Sequence, residues 1–170
     1  MKRQQAEIFI RAPIRQVYDF ITDWRNIARY ERLVIGIEKV VDARETRQQC
    51  LAQSHINVLG LKLKSLYRYW FVPPTKYGGV QVEGLVRGGF WFKLTEVDRG
   101  TRVLHCEFIT SRWRWLERFT ALMLWKVLFP ADLQHQLMKL KKLVEGNDHT
   151  PFPGRTARPL ARLAGSSLLD

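Results

Sequence analysis

The spacing of apolar positions along the chain changes three times, and each change marks an element boundary. Gln5 to Arg11 alternates and is rich in Ile and Phe, which predicts a strand. Ala12-Pro13 follows, and proline is favoured at the first helical position. Ile14, Val17, Tyr18 and Ile21 then recur at helical spacing. Thr22-Asp23 starts a second short helix with Trp24, Ile27 and Ala28 on one side. From Leu33 the period returns to two. Strands are expected over Leu33 to Glu45, Arg47 to Val58, Leu61 to Val72, Tyr77 to Arg87, Phe90 to Val97 and Thr101 to Ser111. Gly60, Pro73-Pro74, Gly88-Gly89 and Asp98-Arg99-Gly100 punctuate them as breaks and turns. Leu133, Leu137, Leu140 and Val144 then recur at i, i+4, i+7 and i+11, the stripe of an amphipathic helix that Gly146-Asn147 stops.

One strand, two short helices, six strands in succession and a terminal helix define an α+β chain. Strands joined by short turns imply an antiparallel meander. Residues 1–146 form the expected domain, and 147–170 turn to Pro, Gly, Arg and Ser, a composition expected of a flexible tail. Upstream of the terminal stripe, Trp115 to Phe129 also reads as helical but is apolar nearly all round. It is shorter than the ~20 residues a bilayer span needs. Pro130 either kinks one long helix there or begins a second one.

This order resembles the START-like, or helix-grip, superfamily, which includes birch-pollen-allergen-like proteins, polyketide cyclase/dehydrase domains and coenzyme Q-binding proteins. The opening IRAPIRQVYDFITDW is similar to the shared pattern at Ala12, Pro13, Val17, Tyr18, Ile21 and Asp23. RGGFWFKLTEVDRGTRVLHCEF resembles the penultimate hairpin with its Gly100-Thr101 pair, and LMKLKKLVEG resembles the terminal helix. The resemblance covers Gln5 to Glu145. It implies a curved seven-stranded antiparallel sheet wrapped around a long C-terminal helix, with a cavity between them. Members bind sterols, phospholipids, quinones, polyketides or plant hormones; some are enzymes and many are carriers. Fold alone does not choose among these.

Strand parity gives the expected ligand cavity. Its sheet wall is Tyr67, Tyr69, Phe71, Val80, Val82, Phe90, Phe92, Leu94, Cys106 and Phe108. Leu122, Trp125, Leu133 and Leu137 are expected to face it from the helical part. Plain core packing accounts for many of these residues too. The excess of aromatic rings over what a thin layer needs favours a cavity. Tyr67, Tyr69 and His105 are the catalytic candidates. A buried tyrosine hydroxyl needs a partner, which backbone or water would supply as well as a ligand. His105 and Glu107 share one face of the last strand and would form a buried acid–base pair if that face were concave. Leu104, Cys106 and Phe108 are the apolar set there and are assigned to the concave side, which places His105 outside.

Charge adds one question. The chain holds 28 Lys and Arg against 16 Asp and Glu, a net +12, so its surface favours anionic partners. Arg112, Arg114 and Arg118 interleave with Trp113, Trp115 and Phe119. Basic residues with Trp beside an apolar run suit a membrane interface, which by the resemblance lies at the cavity entrance. A helix start packed on the sheet, or a homodimer contact, accounts for the same pattern. No aromatic-and-basic platform of the RNA-binding kind is present, so nucleic acid ranks last as a partner.

No nucleophile elbow, phosphate loop, dinucleotide fingerprint or zinc-protease motif occurs. His55, His105, His135 and His149 show no metal-ligand spacing, so neither a metal nor another cofactor is expected. Cys50 and Cys106 lie in strand-like runs, which fits buried thiols in a reducing compartment. The opening MKRQQAEIFIRAP lacks the apolar core of a secretory signal, so a cytoplasmic protein, with or without peripheral membrane contact, is expected. Its expected function is to bind or carry a hydrophobic small molecule, with a metal-free cyclase or dehydratase as the alternative and a basic RNA or ribosome module as the third reading.

Overall fold

The computed structural model describes residues 2–31, 34–40, 49–58, 60–84, 87–110 and 132–146. In chain order these form β1 (Lys2–Ile10), α1 (Ile14–Thr22), α2 (Trp24–Tyr30), β2 (Val34–Val40), β3 (Gln49–Val58), β4 (Leu61–Val72), β5 (Lys76–Glu83), β6 (Arg87–Val97), β7 (Gly100–Thr110) and α3 (Asp132–Glu145). The expected α+β class and seven-stranded antiparallel sheet are present.

Local chemistry sets the two short helices. Pro13 caps α1, and its carbonyl accepts the Val17 N–H at 3.1 Å. Asp23 ends α1 and caps α2 by accepting the Arg25 N–H at 3.1 Å. α1 buries Val17, Tyr18, Phe20 and Ile21, and α2 buries Trp24, Ile27 and Tyr30.

The sheet order is β1-β7-β6-β5-β4-β3-β2, so β2 to β7 form the meander and β1 returns beside the last strand. α1 and α2 carry the chain from one sheet edge to the other. At the β3–β4 turn Gly60 has φ +88°, a conformation glycine adopts without penalty, and its N–H donates to Asn57 Oδ1 at 2.9 Å.

The expected Gly88-Gly89 turn is corrected. Both residues lie inside β6, where Gly88 pairs with Ile109 and Gly89 with Phe108. A Cβ on Gly89 would stand 2.5 Å from the Gly79 carbonyl oxygen and 2.7 Å from the Phe108 ring. The glycine marks a close approach between strands, not a break.

α3 packs on β1, α1 and α2. Its predicted stripe of Leu133, Leu137, Leu140 and Val144 is buried, and the last three join one core with Ile10, Phe92, Leu94 and Val103 of the sheet. Polar contacts fix the helix end. Glu145 Oε1 accepts the Arg11 N–H at 2.7 Å and Lys141 Nζ at 2.6 Å. Lys141 also donates to the Phe9 carbonyl at 2.7 Å. No helix among the described residues is long and apolar enough to cross a membrane.

Candidate functional site

The register defines which side chains share the face that α2 and α3 cover. One cross-strand row runs Ala6, His105, Phe92, Tyr77, Phe71. The next runs Gln4, Glu107, Phe90, Gly79, Tyr69, Cys50. Side chains in such rows stand directly beside one another. Tyr69 and Tyr77 stack with centroids 6.0 Å apart, Phe71 and Tyr77 at 5.4 Å, and Tyr77 and Phe92 at 6.1 Å. Trp24 of α2 packs on Tyr69 at 5.4 Å. The result is an aromatic concave face. Within it Tyr67, Phe71 and Phe90 are only partly buried.

Tyr67, Tyr69, Phe71, Phe90, Phe92 and Leu94 therefore share the concave face, as parity predicted, and Leu133 and Leu137 lie on the buried stripe of α3. Four expected cavity residues do not share this placement. Val80 lies on the convex face and is 44% exposed. Val82 is the extra residue of a β-bulge, because Leu66 pairs with Glu83 and Tyr67 with Gln81. Tyr77 and Gln81 take the concave positions of β5 instead. On β7, Cys106 and Phe108 face outward opposite Trp91 and Gly89. Leu122, Trp125 and the expected entrance residues Arg112, Trp113, Arg114, Trp115, Arg118 and Phe119 lie outside the described residues.

His105 is the main correction. The sequence placed it outside; the structure buries it at 1% exposure on the concave face. Its ring stacks on Phe92 at 3.9 Å and 8°, with Phe90 edge-on at 6.2 Å. Cys106 is also fully buried, under Arg3 and beside Trp91 on the outer face, so apolar character did not separate the two faces.

The buried histidine sits in a polar cluster. His105 Nε2 is 3.9 Å from Glu107 Oε1. Glu31, the residue that ends α2, brings a carboxylate oxygen to them, and one ligand atom from each of the three lies within 4.8 Å of the others. Gln136 of α3 donates from Nε2 to Glu31 Oε2 at 2.9 Å. Among the described residues, neither ring nitrogen of His105 has a hydrogen-bond partner. Burial pushes the His105 pKa down to about 3, which keeps the ring neutral at physiological pH. The Tyr67 hydroxyl is pushed up to about 12 by burial, with the Glu107 and Glu31 charges adding to it.

Away from this pole some hydroxyls are matched and others, those of Tyr18 and Tyr77, have no partner among the described residues. Tyr69 and Ser54 share a 3.0 Å hydrogen bond. Gln81 Nε2 donates to Ser65 Oγ at 3.0 Å, and its Oε1 receives a long 3.5 Å contact from the Tyr67 hydroxyl. Spacing between histidines could not reveal the cluster, because Glu31 and His105 are brought together only by the fold.

No protein-family model and no curated protein sequence matches the chain. Solved structures do. A protein of Thermus thermophilus is 20% identical with a TM-score of 0.69, over 86% of this chain and 99% of that one. A START superfamily protein from Mycobacterium smegmatis is 9% identical with a TM-score of 0.62, over 85% and 98%. The Zhui aromatase/cyclase of a Streptomyces species is 15% identical with a TM-score of 0.63, over 84% and 95%. At these identities the likeness establishes the fold.

Proposed function

We propose that this helix-grip protein binds a hydrophobic, ring-containing small molecule between its concave sheet face and its terminal helix. The observation that carries the reading is the aromatic concave face ending at a buried polar pole. Partly buried Tyr67, Phe71 and Phe90 offer flat apolar surface, and Glu31, His105 and Glu107 offer polar atoms at one end. Mostly apolar lining with a few convergent polar groups is the usual make-up of a small-molecule site. Solved structures of this shape include a START superfamily protein and an aromatase/cyclase, which fits the same class of ligand.

A second reading is chemistry on that ligand, of the cyclase or dehydratase kind. The convergence of an imidazole and two carboxylates favours it, since an acid–base site needs titratable groups within reach of one another.

Native mass spectrometry of freshly purified protein tests the first reading, with a naphthalene fluorophore titrated in parallel. The expected result is a co-purifying apolar molecule or saturable dye binding. Phe90→Ala is expected to weaken dye binding about tenfold, the effect of losing roughly 1.4 kcal/mol of ring contact. Absence of both ligand and dye binding overturns the reading.

A further inference from the structure

We infer that Glu31, His105 and Glu107 form a binding site for one divalent first-row transition metal ion, of the zinc or manganese kind. The site faces the same concave space as the proposed organic ligand but does not rest on that ligand being bound.

The three donors reach one point from separate elements. His105 and Glu107 stand two residues apart on β7 and so project from the same face. Glu31 enters from the end of α2, where its N–H donates to the Ile27 carbonyl at 2.8 Å. One ligand atom from each residue lies within 4.8 Å of the other two. A metal bound tetrahedrally at roughly 2.0–2.2 Å from each donor needs them about 3.3–3.6 Å apart. His105 Nε2 and Glu107 Oε1, at 3.9 Å, stand a few tenths of an ångström outside that spacing. All three donors lie within 4.8 Å of one another, so side-chain adjustments of about an ångström bring them onto one ion.

Two further features point to a bound ion rather than a chance meeting of side chains. His105 is 1% exposed, its ring is clamped on Phe92, and neither nitrogen has a hydrogen-bond partner among the described residues. A buried polar atom left without a partner is costly, and an ion between Nε2 and the carboxylates removes that cost for one nitrogen. Gln136, itself buried, donates to Glu31 Oε2 and so holds that carboxylate from behind, as residues behind metal ligands do. A carboxylate has roughly four lone-pair positions, so other hydrogen bonds to Glu31 or Glu107 leave room for a metal. One imidazole nitrogen with two carboxylate oxygens and no thiolate suits zinc or manganese better than copper(I) or calcium. Three protein donors leave a coordination position for water or a polar group of a ligand.

The test is calorimetric titration of the full-length, chelator-stripped protein with zinc and with manganese chloride. About one equivalent of saturable binding is expected, with cobalt(II) giving visible absorption bands at the same site. Glu31→Gln and Glu107→Gln keep side-chain volume, so they are the primary variants, and circular-dichroism melts confirm that they fold. Each is expected to weaken binding at least about tenfold and to abolish the cobalt bands. Gln136→Leu is expected to weaken it by a smaller factor. A double His55→Ala, His135→Ala variant, which removes two histidines outside the cluster, is expected to bind as the parent does. Three results each overturn the site: no saturable binding below about 100 µM, binding unchanged in both Glu→Gln variants, or binding lost in the double-histidine variant. Dye binding is measured separately in chelator, so loss of the metal site and loss of the ligand reading register as different outcomes.

Discussion

On the convex face of β7, Cys106 is sealed under Arg3, whose Nε donates to its sulfur at 3.0 Å and whose guanidinium lies 5.5 Å from the centre of the neighbouring Trp91 ring. One residue earlier, on the concave face, His105 is sealed by Phe92 and Phe90. Both side chains are lost to solvent. They differ in whether their polar atoms are satisfied. The arginine stem covers the outer face while its head finds partners there, the usual habit of a long amphipathic side chain. The inner face gathers Glu31 and Glu107 around an imidazole with two unmatched nitrogens. Buried polar groups in native proteins nearly always have partners, so an exception calls for an explanation. Tyr18, Trp24 and Tyr77 also carry buried polar atoms without partners among the described residues, so what sets His105 apart is the convergence of two carboxylates on it.

The strongest way to break this division of faces is to remove a side chain from each. Phe92→Ala deletes the partner of both His105 and Tyr77 and is expected to cost about 3–5 kcal/mol in urea denaturation. Val80→Ala, on an outward position that is 44% exposed, is expected to stay within about 0.5 kcal/mol. Equal costs would mean that the two faces of β5 and β6 have been exchanged.

Acid titration probes the same contrast at β7. In metal-free protein the folded-state pKa of His105 is lowered by burial to about 3 from the ordinary histidine value of 6.5. Between those values the unfolded chain binds the proton and the folded chain does not. This contribution to stability is present above about pH 6.5 and is lost as pH falls toward 3, by up to about 1.4 kcal/mol per pH unit. Glu31 and Glu107 face the ring and are kept in both proteins compared. His105→Phe removes this component of the slope, while Cys106→Ala on the outer face leaves it in place. Parallel pH profiles for wild type and His105→Phe would show that the imidazole is not held neutral.

The sequence made the succession of elements, the two short helices and the buried stripe of α3 legible from their periods and most of their stop signals, although Gly88-Gly89 reads as a turn and lies inside β6. Parity was legible on β4 and β6, where Tyr67, Tyr69, Phe71, Phe90, Phe92 and Leu94 leave one reading only. It failed on β5 and β7 for a physical reason. Assigning apolar residues to the inside assumes that only the concave face is covered. On β7 the outer face shelters Cys106 beneath Arg3, while the inner positions include His105 and Glu107. On β5 the inner position beside Tyr69 is Gly79, which has no side chain to register in a hydrophobic pattern. The bulge at Val82 then shifts the register at the end of the strand. Glu31 carried no signal, since a lone acid at a helix end is ordinary until the fold brings His105 to it. Local failures of pattern at such a place are what a functional site would produce.

The smallest effect sharpens the contrast within the concave face itself. Ser54 and Tyr69 share a 3.0 Å hydrogen bond in the aromatic region, so their hydroxyls are matched where the ring nitrogens of His105 are not. Ser54→Ala strands a buried tyrosine hydroxyl and is expected to cost about 1–2 kcal/mol. Tyr69→Phe strands the smaller serine hydroxyl and is expected to cost less. Removing both partners leaves nothing unsatisfied, so the double variant is expected to cost less than the sum of the two. If instead Ser54→Ala is silent and the double variant is additive, the Tyr69 hydroxyl has a partner other than Ser54. Tyr69 is 2% exposed and faces the concave space, so that partner would be a water or a ligand atom held against the sheet. Repeating the double-mutant cycle after stripping any co-purifying apolar molecule then separates the two: a coupling that appears only in the stripped protein locates a ligand beside Tyr69.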